Sequence, residues 1–170
     1  MNNPKKNTGF TIVELLIVIV VIGILAAITI VAFNGIQQRA RNTQVITGVN
    51  AYVKALKQYQ AINSEYPPQA GCMGAGYPSN QCWVGSQGNY GVGTDLDTRL
   101  ATVMSGPKPT LATSLMAIGI NDNTRAGALY NVTPVPRVVF YLQGINQPCT
   151  VAGANGGNEG GVVTQCVLNL

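Results

Sequence analysis

The sequence predicts an α+β protein in which one long N-terminal α-helix packs on an antiparallel β-sheet head. Three observations predict it. Residues 15–33 carry no charge and are almost wholly aliphatic, and from Gln37 the pattern turns amphipathic with no proline before Pro67. Past Ala126, short β-branched and aromatic runs lie between Gly-, Asn- and Pro-rich turns, as strands do. All four cysteines, Cys72, Cys82, Cys149 and Cys166, fall beyond the apolar run, and a chain of 170 residues leaves roughly one domain's worth of sequence for the head, residues 64–170.

The helix comes first. A charge-free run over 15–33 is close to the roughly 20 residues that span hydrocarbon at about 1.5 Å rise per residue. Because it is apolar on all faces, it must be surrounded by lipid or by protein. Val45, Val49, Tyr52, Val53, Leu56 and Tyr59 then recur at three- and four-residue steps, with Asn50, Lys54, Lys57 and Gln58 opposite. The same helix therefore continues through 34–63 as an amphipathic stalk, about 80 Å long in all from Phe10. Pro67-Pro68 end it, since proline disfavours helix at the residue before it as well. Gly23, Thr29 and Gly35 are soft points along its length.

Residues 67–93 read as an ordered loop stapled by a disulfide. Thr94-Asp95-Leu96-Asp97 reads as a helix start, with Leu96, Leu100 and Val103 on one face and Gly106-Pro107 as the stop. Over 111–120 periodicity does not decide between helix and strand. Strand character rises at 128–132, 137–143, 149–152 and 162–168; sequential strands with short connections favour an antiparallel meander. Its apolar face is expected to cover the amphipathic half of the helix, with the Gly-rich stretch 153–161 at the surface.

Composition excludes several functions. Only 9% of residues are charged and 20 are glycine, so the head is polar through amides and hydroxyls, as suits an extracellular surface. The net charge is +4, and without Lys5 and Lys6 eight basic side chains face six acidic ones, too little to argue for nucleic-acid binding. With no histidine and no Cys-x-x-Cys pair, zinc and thioredoxin-like sites are poor readings. An even number of cysteines suits disulfides in an oxidising compartment, and of three possible pairings the local ones, Cys72 with Cys82 and Cys149 with Cys166, each close a short turn-prone loop. Asp95 with Asp97, and Asp122 between Asn121 and Asn123, fit no EF-hand loop and read as caps and turns. No metal site or cofactor is expected. Asn131-Val132-Thr133 matches a glycosylation sequon, but Pro134 follows it. Trp83 with Tyr77 and Tyr90 reads as packing over a disulfide rather than as a sugar-binding patch. A hydrolase lacks its players here, since there is no nucleophile motif and no base to serve one; no catalytic residue is expected.

Glu14 needs its own explanation. It is a carboxylate at the head of an apolar run, and an intramembrane charge is by default a functional residue. A cleaved secretory signal, with Lys5 and Lys6 as its basic start and Ala26-Ala27 near the cut, would have a shorter apolar core and no use for Glu14. Charge alone does not orient the segment, because Lys5 and Lys6 are matched by Arg39 and Arg41. Oxidised cysteines would place the head outside and the N-terminus in the cytoplasm.

The stretch Lys5-Lys6-Asn7-Thr8-Gly9-Phe10-Thr11-Ile12-Val13-Glu14-Leu15-Leu16 resembles the class III signal sequence of type IV pilins and pseudopilins: a short basic leader ending in glycine, then phenylalanine, a small residue, a glutamate and leucines. The resemblance covers about the first 30 residues. It implies that residues 1–9 are a leader, that a prepilin peptidase cuts between Gly9 and Phe10 and methylates the new amine of Phe10, and that residues 10–33 serve first as a membrane anchor and later as filament core. It also implies identical subunits and a pilus assembly machinery as partners. Glycine before the cut suits a protease cleft, having no side chain to clash. In the resembling family the acidic residue, here Glu14, is thought to meet the terminal amine, here of Phe10, of the next subunit. The alternative is that Glu14 pairs within its own helix N-terminus, where the macrodipole favours an anion. The helix-breaking proline many pilins carry in this region is absent.

The function expected is thus a structural subunit of an extracellular type IV pilus serving adhesion, twitching motility or DNA uptake. A pseudopilin of a type II secretion system is the alternative within the superfamily. A membrane-tethered binding domain that never polymerises is the alternative from another class; it predicts an uncut N-terminus and indifference to Glu14→Leu.

Overall fold

Helix α1 runs unbroken over Ile12–Asn63 in a computed structural model that describes residues 10–85, 88–111, 115–118 and 123–170. Asn63 donates its Nδ2 to the Tyr59 carbonyl at 2.9 Å. Ser64 then adopts the left-handed conformation with φ 62°, the usual way a helix is closed. The soft points do not interrupt it: Thr29 returns its hydroxyl to the Ala26 carbonyl at 2.9 Å, and Gly23 and Gly35 lie within the helix. The chain divides into two compact units, one ending at Gln37 and the other running from Gln38 to Leu170.

In the second unit the elements follow as β1 (Gly71–Met73), a 3-10 turn at Pro78–Asn80, β2 (Gln81–Val84), β3 (Tyr90–Gly91), α2 (Thr94–Leu100), β4 (Met116–Ala117), β5 (Thr124–Arg125), β6 (Ala128–Asn131), β7 (Arg137–Gln143), β8 (Asn155–Glu159) and β9 (Val163–Asn169). They form a five-stranded sheet ordered β1-β6-β7-β9-β8 and a four-stranded sheet ordered β3-β2-β5-β4. Every pairing between these strands is antiparallel. The fold is α+β and pilin-like: a long N-terminal helix followed by antiparallel sheets.

Strand alternation sorts the central strand β7 between two cores. Val138, Phe140 and Leu142 join Val45, Val49, Tyr52, Val53, Leu56 and Tyr59 of α1 in the main core, so the amphipathic repeat read from sequence is the buried face. Val139 and Tyr141 face the other way and pack with Ile118 and Val163. Polar side chains fix the helix to the strand end. Asn42 donates to the Gln143 carbonyl at 3.0 Å and accepts the Gln143 N–H at 2.8 Å, so its amide takes the place of a neighbouring strand. Gly48 makes room where Leu111 meets the helix: a Cβ there would lie 2.2 Å from the Leu111 Cδ2, so the leucine methyl would have to move.

Three expectations need correction, and one open question is answered. Residues 67–93 hold three short strands rather than a loop: β1 and β2 take partners distant in sequence, β6 and β5, and β3 pairs back on β2. The stretch 149–152 is not a strand; β8 lies at 155–159 instead. Its sequence, Asn-Gly-Gly-Asn-Glu, has no strand propensity and is held extended by pairing along β9. The large sheet is not a meander, because β9 inserts between β7 and β8 and β1 joins at the far edge. Of the undecided stretch 111–120, the described part contains only β4.

Candidate assembly segment

The helix start is built by Thr11 and Glu14. The Thr11 backbone N–H and hydroxyl both donate to Glu14 Oε2, at 2.9 and 2.6 Å. The Glu14 N–H donates back to Thr11 Oγ1 at 3.2 Å. This reciprocal arrangement is a capping box, in which a threonine and a glutamate three residues on satisfy amide groups the first turn leaves unpaired. Glu14 is thus engaged within its own helix N-terminus in this single chain. The Thr-x-x-Glu spacing was the available signal for it.

Beyond the cap, every residue from 10 to 37 whose side chain is described is exposed. The large aliphatics range from 48% exposed at Val21 to 83% at Ile12, so within one chain this face buries nothing. The segment is long and apolar enough to cross a membrane. Covering a side chain of this kind contributes about 1.5–3 kcal/mol, and a continuous column of them needs lipid or other protein around it. Phe10, at the proposed cut, is 81% exposed. Gly9, the leader 1–9 and Lys5 and Lys6 lie outside the described residues, while Arg39 and Arg41 are exposed on α1.

In the head, disulfides join Cys72 to Cys82 and Cys149 to Cys166, leaving no free cysteine. The second fastens β9 to the segment that leads into β8. The acidic residues of α2 prove to be ion-pair partners rather than caps: Asp95 meets Arg99 at 2.8 Å and Asp97 meets Lys108, while the N-cap Gly93 offers no side chain. Asp122 lies outside the described residues. Among the described residues no group of three or more His, Cys, Asp or Glu side chains gathers as a metal site would require.

Trp83 and Tyr90 pack against the core that holds Tyr77 and the Cys72 and Cys82 side chains, and Trp83 has a further partner. The Arg125 guanidinium lies 3.6 Å above its ring, with Tyr90 and Tyr141 edge-on at 6.2 and 5.9 Å. Tyr77 is buried in the main core, donating to the Met73 carbonyl at 2.6 Å and accepting from Ala128 N–H at 3.2 Å. Arg125 links the two sheets: it pairs with Glu159 of β8 at 2.9 Å and donates to the carbonyls of Val84 and Thr124 at 2.8 and 3.0 Å. No sequence signal pointed to it.

Residues 4–30 match the model of the prokaryotic N-terminal methylation motif. The chain is 36% identical over 67 residues to the type II secretion system core protein G of Vibrio cholerae, covering 39% of this chain and 46% of that one. It is 39% identical over 72 residues to the type IV major pilin protein PilA of Myxococcus xanthus, covering 42% of this chain and 32% of that one. With the type IV wide pilus major component PilA4 of Thermus thermophilus the identity is 44% over 66 residues, 39% of this chain and 48% of that one. The chain therefore spans less than half the length of each of these curated relatives. No solved structure matches it significantly.

Proposed function

We propose that this chain is the structural subunit of a type IV pilus, cut between Gly9 and Phe10 by a prepilin peptidase, methylated on the Phe10 amine, and polymerised noncovalently into an extracellular filament for adhesion, twitching motility or DNA uptake. The observation that carries this reading is the methylation motif over residues 4–30 at the head of a helix exposed on all its described side chains up to residue 37. Before assembly the segment sits in the cell membrane with its N-terminus in the cytoplasm. In the filament, helices of identical subunits replace the lipid. The work is done by burial and registration, with no catalysis.

Glu14 has two partners in succession on this reading. In the isolated chain it caps its own helix through Thr11; in the filament it exchanges that cap for the charged amine of Phe10 on the next subunit. Cleavage at Gly9 is what creates that amine, so processing and assembly are coupled through one charge.

The similarity to core protein G of Vibrio cholerae supports a second reading, a pseudopilin of a type II secretion system, whose filament would be short and periplasmic. Two measurements test both. Intact mass of the cellular protein should show loss of residues 1–9 and gain of one methyl group, and a full-length chain overturns either reading. Electron microscopy of sheared surface material then separates them: long fibres containing this chain support the pilus, and their absence from processed, membrane-retained protein supports the pseudopilin.

A further inference from the structure

A cavity of about 190 Å³ lies on the face of the five-stranded sheet opposite Val138, Phe140 and Leu142. Trp83 and Tyr90 of the smaller sheet form one wall; Val139, Asn131, Arg137 and Gln165 contribute from the larger one. Its polar character is one-sided. Among the described residues no carboxylate lines it and Arg137 makes no ion pair. The Nε of Arg137 is a buried N–H group without a partner among the described residues. A buried donor left unmade is costly, and guanidinium donors match a carboxylate in a planar fork.

We propose that this cavity binds a carboxylated sugar ring, the hexuronate unit of an acidic polysaccharide. The carboxylate takes the Arg137 fork. The ring and its hydroxyls take the remaining space, with Asn131 and Gln165 as partners. The Gln165 Nε2 is already committed to Tyr141 and Glu159 at 3.3 and 3.1 Å, which leaves its carbonyl oxygen for a hydroxyl donor. Tyr90 and the Trp83 edge bound the apolar side, the usual composition of a small-molecule site.

A carboxylate from a second copy of this chain is the competitor the test separates. Of the six acidic residues in the sequence, Glu14 caps a helix, Asp95, Asp97 and Glu159 are paired with Arg99, Lys108 and Arg125, and Glu65 is exposed; a lone carboxylate would leave the Asn131 and Gln165 amides of the wall without the hydroxyl partners a sugar ring offers. The site stands whether or not the chain polymerises.

The test uses the full chain in detergent micelles. Trp83 is its single tryptophan, so intrinsic fluorescence reports this wall directly. Trigalacturonate should change the emission saturably, while neutral galactotriose and acetyl-glutamate amide should bind at least about tenfold more weakly. Arg137→Gln should weaken trigalacturonate by about tenfold or more, the usual cost of losing a charge-assisted hydrogen bond, and Arg39→Gln should leave it unchanged. No saturable response, equal binding of galactotriose, or normal binding by a folded Arg137→Gln protein overturns the proposal. Acetyl-glutamate amide binding as tightly as the uronide also overturns it, in favour of an acidic protein side chain. Should Arg137→Gln fail to fold, Arg137→Lys decides, because it keeps the charge and loses the fork: a loss of about tenfold supports the site and unchanged affinity refutes it.

Discussion

Replacing Arg125 by methionine should unfold the head far more readily than any surface substitution. Its side chain is 6% exposed and that of Glu159 is 24% exposed, so the pair is largely shielded from water. Methionine fills much of the arginine stem but removes the donors to the carbonyls of Val84 and Thr124, the partner of Glu159 and the cation above Trp83. Removing one partner of a buried pair costs about 3–5 kcal/mol, because the remaining charge is left uncompensated. Glu159→Gln should cost less, about 1–2 kcal/mol, since the arginine keeps its two carbonyls and the amide retains an acceptor. In a chain of this size each kcal/mol moves Tm by about 2–4 °C, so Arg125→Met should lower it by roughly 6–20 °C. Thermal and urea unfolding of the full chain, followed by Trp83 emission, measure both. The double variant should be less than additive, because Glu159→Gln removes the charge that Arg125→Met strands. An Arg125→Met protein with unchanged Tm and unchanged emission would refute the account of this network.

Three further outcomes are expected. Glu14→Ala should insert and be cut yet yield no fibres, whereas Thr11→Val, which removes only the hydroxyl of the cap, should still assemble; abundant fibres from Glu14→Ala would contradict the pairing role. Removing the Cys149–Cys166 bridge, with its sequence separation of 17, should cost about 3 kcal/mol, and removing Cys72–Cys82, with a separation of 10, slightly less, in urea titrations of the paired serine variants. Burial pushes Tyr52 and Tyr130 up to about 12 and raises Tyr77 and Tyr141 as well, while in the unfolded chain tyrosine ionises near about 10. The unfolded state therefore releases protons first, so stability should hold up to about pH 10 and fall as pH rises through 12. A urea midpoint that stays level across that window would contradict the burial assigned to these hydroxyls.

What the sequence disclosed follows from how local each signal is. The amphipathic repeat from Val45 to Tyr59 shows which face α1 buries, because helix periodicity is a property of one segment. Strand β7 reads correctly at Arg137–Gln143 because its apolar, β-branched run is bounded by proline and glycine. Strand β8 does not, since Asn-Gly-Gly-Asn-Glu becomes extended only through its partner β9. The sheet order is equally non-local: β9 lies between β7 and β8 through contacts that no window of residues records. Arg125 carries no local signal because its partners Val84 and Glu159 are 41 and 34 residues away. Glu14 is conspicuous from charge alone, and its link to Thr11 is written in the Thr-x-x-Glu spacing of a capping box.

The two cystine bridges also set how far the head can be drawn out. A pull on its ends cannot extend the stretches between Cys72 and Cys82 or between Cys149 and Cys166, which span 10 and 17 positions. At about 3.3–3.6 Å of extended chain per residue, together they withhold roughly 80 Å of slack once the short spans of the cross-links themselves are deducted. Under tension in an oxidising medium the tether yields that much less length before it tightens, and a reductant would release the difference as a measurable increment in a single-molecule force trace.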